Sequence, residues 1–325
     1  MIGVQARPKW TAKRPSNREL GKRDAMAKRE VARMGKNIKV CLSAAALIAV
    51  VSFFSAKPAV AASPEYPAAP IDGRAPALNN LATVYARIFL QGAYISNQLM
   101  RINLRNMPSP TNAYLPTNSP YPEAPKTITT LPSRVTDWIL ISLRARAGGP
   151  DLISVSAFVR EDGMIVSADD GLEGASLAIP SGSYYIVIRQ RNHLAVMSKQ
   201  AVDLAQWSAT TPYDFTTASA AGQANNRFYK DADDGAVQLR DGCWAMAAAD
   251  GSRGTYNREG RTNLQDLIPL NDGSCDASDA VLYDDQQGKE GYVRADYSLD
   301  SSVDAIDAGL YDANQGRESP SVLQR

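Results

Sequence analysis

Trp138-Ile-Leu-Ile-Ser-Leu143, Ile153-Ser-Val-Ser-Ala-Phe-Val-Arg160 and Met164-Ile-Val166 form the stretch on which the fold turns. The first segment is a continuous apolar run closed by Arg144 and Gly148-Gly149, as a strand buried on both faces requires. Glu161-Asp-Gly163 reads as a tight turn between the second and third segments, which then make a hairpin. Upstream, Thr83 to Leu90 (TVYARIFL) has high β-propensity. Downstream come Leu177-Ala-Ile179, a Pro180-Ser-Gly182 turn, Tyr184 to Arg189, Leu194 to Met197 and Tyr213 to Phe215. Many short strands between Gly, Pro and Asp turns predict a mainly β fold. An Ig-like or transthyretin-like β-sandwich is expected over residues 81–220, about 140 residues, enough to bury one core. Met100 to Thr130 departs from this pattern. Pro108, Pro110, Pro116, Pro120, Pro122 and Pro125 prevent regular pairing and predict a long loop over one sheet edge.

The front of the chain is basic and then apolar. Residues 1–40 contain twelve Lys or Arg against three acids, and Val40 to Phe54 reads VCLSAAALIAVVSFF, before a small-residue site at Ala59-Val60-Ala61. Residues 1–62 are expected to be a basic region with an export signal, too short in its apolar part for the roughly 20 residues of a membrane span. An uncleaved anchor is the rival reading, and Met26 or Met34 would give a more ordinary start. Residues 63–80 are a Pro-, Ala- and Ser-rich linker. The full chain has 35 basic and 34 acidic residues, but residues 63–325 hold 22 and 31, a net of −9. That balance suits an exported protein, whether extracellular, at the cell surface or periplasmic, or a divalent-cation binder. It argues against nucleic acid as a partner and against any membrane contact beyond the signal. Cys243 and Cys275 lie beyond the signal and are a disulfide candidate in an oxidising compartment, with no zinc-site spacing.

Near the C-terminus, Asp296-Tyr-Ser298-Leu-Asp300-Ser-Ser-Val-Asp304-Ala-Ile-Asp307 places oxygen side chains at loop positions one, three, five, nine and twelve. Val303 stands at position eight. Alternate residues of a curled loop point oxygens inward, as calcium requires. The pattern resembles a dockerin-type calcium repeat. One Ca2+ site is expected, with Asp296, Ser298, Asp300, Asp304 and Asp307 as ligands and a helix from Ala308 to Asn314 stopped by Gly316. Two departures stand out: Ser301 at position six, where the turn favours Gly, and Ser298, a weak ligand, at position three. The plain alternative is a solvated acidic loop. A dockerin-like domain over residues 240–325 would carry a degenerate first loop, Asp250-Gly-Ser252, followed by a helix at Thr262 to Ile268. Asp272, Asp276 and Asp279 do not repeat the loop spacing and are expected in a solvated turn.

Arg87-Ile-Phe-Leu-Gln-Gly-Ala-Tyr94, Val135 to Arg144, Ser183 to Met197 and Tyr213-Asp-Phe-Thr216 occur in order. Together they resemble a C-terminal module of large secreted bacterial surface proteins of the haemagglutinin-like kind, a resemblance that covers about residues 84–325. It implies export and a surface or assembly role, with a protein or glycan partner at the cell surface, and no reaction. No serine has a nucleophile-elbow context, and His193 is the only histidine. A non-catalytic adhesion or assembly protein is therefore expected. The alternatives are a carbohydrate-binding accessory protein of polysaccharide utilisation and, further off, a polysaccharide hydrolase. Arg191-Asn192-His193 is expected to bond the backbone of a tight strand connection rather than to form a ligand-binding rim. Trp138 is expected in the core, and Tyr94, Tyr114 and Tyr121 are candidate ligand contacts.

Overall fold

The computed structural model describes residues 81–105, 115–217, 227–230, 235–251 and 272–323. The export signal, the linker, Tyr114, Ser252 and the expected helix at Thr262 to Ile268 lie outside the described residues. In chain order the strands are β1 (Leu81–Val84), β2 (Ala86–Arg87), β3 (Tyr94–Ser96), β4 (Leu99–Met100), β5 (Val135–Arg144), β6 (Ile153–Arg160) and β7 (Ile165–Ser167). They continue with β8 (Ala175–Pro180), β9 (Ser183–Gln190), β10 (His193–Met197), β11 (Val202–Asp203), β12 (Tyr213–Asp214), β13 (Ala236–Gln238) and β14 (Trp244–Met246). Two helices follow, α1 (Ala277–Gln286) and α2 (Ala305–Asn314). The described chain is mainly β.

The apolar run becomes β5, buried at every position. It lies inside an antiparallel sheet of order β10-β9-β5-β6-β7, with β11 also paired to β9. Ile141 faces Val155 on one side and Ile188 on the other. The hairpin β6–β7 closes through Gly163 at φ +83°, a left-handed conformation that glycine adopts without a Cβ penalty. Trp138 stacks on Phe158 with ring centroids 3.8 Å apart and is fully buried.

Two expectations change. The run from Thr83 to Leu90 is not one strand: β1 pairs with β8, β2 pairs in parallel with β12, and Leu90 bridges to Met246. Its side chains suit a strand throughout, but successive backbone segments meet different partners. The described part of the Pro-rich segment from residue 115 on covers a sheet face rather than an edge. Trp138 Nε1 donates to the Pro116 carbonyl (2.9 Å), Tyr121 Oη to the Trp138 carbonyl (3.1 Å) and Ser156 Oγ to the Ala124 carbonyl (2.6 Å). Both β5 and β6 are interior strands, so these bonds span the middle of the sheet. Prolines lack an N–H but keep their carbonyls, which makes such a segment a source of acceptors for buried donors.

The described residues all fall within one compact unit. Ala236, Ala245 and Met246 of the β13–β14 hairpin join the core of the main sheet. Beyond it a smaller core gathers Ala248, Ala249, Cys275, Leu282, Ala295, Tyr297 and Val303, where the helices meet the body.

Candidate metal centre

The acidic tail loop is shaped by its own short-range bonds. Asp304 is the N-cap of α2, accepting from the Ile306 amide (2.7 Å), while Asp307 reaches back to the Asp304 amide (2.8 Å). This capping box starts the helix three residues earlier than the spacing predicts. Gly316, at φ +82°, follows the last turn as expected. Leu299 and Ser301 bend the loop through φ +55° and +81°. The bend lets Asp296 accept from the Asp300 amide (3.1 Å), the Ser301 amide (3.0 Å) and Ser298 Oγ (3.3 Å). Ser298 donates its amide to Asp307 (2.8 Å).

The structure therefore brings Asp296, Ser298 and Asp307 together in a buried position, with half-buried Asp300 beside them. Asp304 is exposed and turned to the helix end, so it is not drawn in. Among the described residues no three His, Cys, Asp or Glu groups converge closely enough to hold a metal ion. The carboxylate oxygens are aimed at the loop's own amides instead. Burial nevertheless pushes the Asp296 carboxyl up to about 7, against the pull of Arg191, and Asp307 and Asp300 push it the same way. Burial also raises Asp307. An all-oxygen donor set whose charges are mutually unfavourable suits a hard dication in its chemistry. The fit in geometry is partial.

Ser301 carries a side chain in a conformation that disfavours one. Ser301→Gly is expected to stabilise the protein by up to about 1 kcal/mol, the relief of the left-handed penalty less glycine's greater unfolded-state entropy. Urea midpoints of the two proteins check this.

The solvated turn expected at Asp272, Asp276 and Asp279 is not what forms. Asp279 is fully buried, and Asp276 and Asp279 make a second capping box, on α1. Asp276-Ala-Ser-Asp279-Ala and Leu282-Tyr-Asp284, then Gln287-Gly-Lys-Glu290, recur 28 residues later as Asp304-Ala-Ile-Asp307-Ala, Leu310-Tyr-Asp312 and Gln315-Gly-Arg-Glu318. The bonds recur too. Gly251 donates to Asp279 as Ser298 does to Asp307, both at 2.8 Å. The halves also exchange backbone bonds reciprocally: Cys275 N to Arg317 O and Val303 N to Lys289 O, both 2.9 Å, and Gly316 N to Cys275 O and Gly288 N to Val303 O, both 2.8 Å. The tail is thus an internally duplicated, pseudo-twofold unit. The residue signal was present in the sequence, but residues 252–271 separate Gly251 from the rest of its half and hide the spacing.

This duplication also corrects the disulfide expectation. Cys275 is a free, buried thiol that occupies the place of Val303 in the small core. Cys243 is a second free thiol, packed at the margin of the main core beside Asp241. The two belong to different cores and are not bonded.

The loop is seated on the turn between β9 and β10, where Gln190, Arg191, Asn192 and His193 are all buried. Asp137 on β5 accepts from Gln190 Nε2 (2.7 Å), Arg191 Nε (3.0 Å), Tyr292 Oη (2.7 Å) and the Trp138 amide (2.7 Å). Arg191 lies over the Tyr292 ring at 4.1 Å and also donates to the Val293 carbonyl. Arg101 donates to the carbonyls of Gly92 and Ser298, each at 3.2 Å. At Gly92 a Cβ would lie 1.8 Å from the Tyr297 carbonyl oxygen. The Arg-Asn-His cluster, expected to bond the backbone of its own strand connection, instead bonds remote backbone: Asn192 and Arg191 that of the tail, and His193 the Gly92 amide. Sequence reasoning did not single out Gly92, Asp137 or Tyr292, whose partners are remote in sequence.

His193 is fully buried and accepts from the Gly92 amide at Nε2 (3.3 Å). Its Nδ1 faces two oxygens, Gln190 Oε1 (2.8 Å) and Asn192 Oδ1 (2.9 Å), so the neutral ring carries its proton there. Burial, with Arg191 nearby, lowers its pKa from 6.5 to about 3. A depressed folded-state value means that stability is intact above pH 6.5 and is lost as pH falls toward 3. Between pH 7 and 4.5, wild type is expected to lose about 2–3 kcal/mol more than His193→Gln, at about 1.4 kcal/mol per pH unit. Parallel urea titrations of the two proteins would show it, and identical pH slopes would refute it.

Tyr121 and Trp138 are core residues, and Tyr94 is bonded to Asp241. Among the described residues no helix is long and apolar enough to cross a membrane. No family model matches the chain, and no curated protein or solved structure matches it.

Proposed function

We propose that this is an exported, non-catalytic surface adhesion or assembly protein, built on an Ig-like or transthyretin-like sandwich and finished by a dockerin-like tail that calcium stabilises. One observation carries the reading: a duplicated loop-and-helix tail with buried acidic loop residues, locked onto a sheet. In this reading the ion has a structural role. It relieves the repulsion among Asp296, Asp300 and Asp307 and couples its binding free energy to folding of the tail. The basic and apolar front of the chain and its acidic remainder support export. Both ring nitrogens of the single histidine are buried in structural bonds, to the Gly92 amide and to the Gln190 and Asn192 side chains, which supports a role without general-base chemistry. Trp138 and Tyr121 are enclosed in the core, which weakens the carbohydrate-binding alternative.

Calcium is expected to raise the melting temperature, by roughly 2–4 °C for each kcal/mol of binding free energy at the midpoint. Asp296→Ala should abolish the rise. The effect should be larger at pH 8 than at pH 5.5. The raised Asp296 value means that its favourable contribution, full at low pH, is lost as pH rises through about 7, which leaves charge for the cation to neutralise. Melting curves unchanged across millimolar calcium at pH 8 would refute the reading.

A further inference from the structure

A two-residue strand connection ordinarily ends at solvent, but Asn192, in the turn between β9 and β10, is fully buried and has every polar group engaged. Its amide donates to Gln190 Oε1 (3.0 Å), and its Oδ1 faces His193 Nδ1. Its carbonyl accepts from the amides of Ala249 (3.1 Å) and Asp250 (3.2 Å), where the first half of the duplicated tail begins. Its Nδ2 donates to the carbonyls of Arg294 (3.0 Å) and Asp296 (2.6 Å), where the second half begins. We propose that Asn192 is a positioning residue for the tail loop: this one residue of the sheet holds the starts of both halves, and so imposes the shape of the Asp296 loop from outside it. Only a neutral carboxamide of this length meets the requirement. It places two N–H donors on two carbonyls and an oxygen on a ring N–H. A carboxylate would face the same two carbonyls with no proton to offer. The inference deepens the calcium reading and rests on it only for the second of two readouts.

Hydrogen exchange of the full chain in EDTA, followed by calcium titration calorimetry, tests it on Asn192→Asp and Asn192→Ala. The amides of Asp300 and Ser301, which bond Asp296, are expected to exchange at least tenfold faster in both variants, while β5 and β6 amides keep their protection. Asn192→Ala retains the backbone carbonyl, so Ala249 and Asp250 amides should stay protected in it. This asymmetry separates positioning from general loosening. Calcium affinity should fall at least tenfold. Loop amides as protected as in wild type would overturn the proposal, and so would an equal loss of protection across β5 and β6 in both variants. If wild type takes up no calcium while the loop amides respond as expected, positioning stands and the calcium reading falls. If exchange is unaltered and calcium binds normally, the reverse holds. Should Asn192→Asp fail to fold, the Asn192→Ala measurement decides.

Discussion

Gly92→Ala is expected to destabilise the protein by about 3 kcal/mol or more and to release the tail from the sheet. The added methyl would sit 1.8 Å from the Tyr297 carbonyl oxygen and 3.0 Å from Ser298 Cα. These are backbone atoms, so no side chain can swing away to make room. Ordinary overpacking costs about 1–3 kcal/mol, and a clash that only backbone movement can relieve belongs at or above the upper end. Moving the tail would also strain the Arg101 bridge to Ser298, and moving Gly92 instead would strain its amide bond to His193. Urea denaturation measures the loss, and hydrogen exchange at Ala295 to Ser298 localises it. A variant within 0.5 kcal/mol of wild type would show that the tail is not seated against this glycine.

Asp137→Ala is expected to cost about 3–5 kcal/mol, because it leaves the buried Arg191 guanidinium without its counter-charge. Gln190, Tyr292 and the Trp138 amide lose an acceptor at the same time, each loss costing about 1–3 kcal/mol where water cannot enter. These terms share one carboxylate and do not add. Arg191→Met in the Asp137→Ala background removes the orphaned charge and should recover part of the loss. A double-mutant cycle is expected to give a coupling above 1 kcal/mol. Additive single-variant effects would refute the view that this pair is the joint between sheet and tail.

How much could be read without coordinates differs by region. The strands β5, β6 and β7 follow from an apolar run, a β-branched alternation and a turn at Glu161-Asp-Gly163, all local signals. The Asp296 loop was legible because its residues lie within one short segment whose caps and bends are set by neighbours. Its helix start was misplaced because Asp304 and Asp307 satisfy helix amides, a use of carboxylates that ligand spacing alone does not reveal. The first half of the duplication is not legible from loop positions, because residues 252–271 interrupt them; its signal lies in the helix that follows and its flanks, from Asp276 to Glu290.

By itself, the amino-acid sequence determined the β-rich body, the basic front, the acidic tail and the helix stop at Gly316, since each depends on residues close together along the chain. Only the tertiary structure decided that Gly92 must be small, that Cys243 and Cys275 lie in different cores, and that Asn192 holds both halves of the tail. These facts depend on segments distant along the chain, such as Asn192 with Ala249 and Gly92 with Tyr297, brought together by packing of the cores. No propensity or spacing within one segment carries the identity of such a remote neighbour.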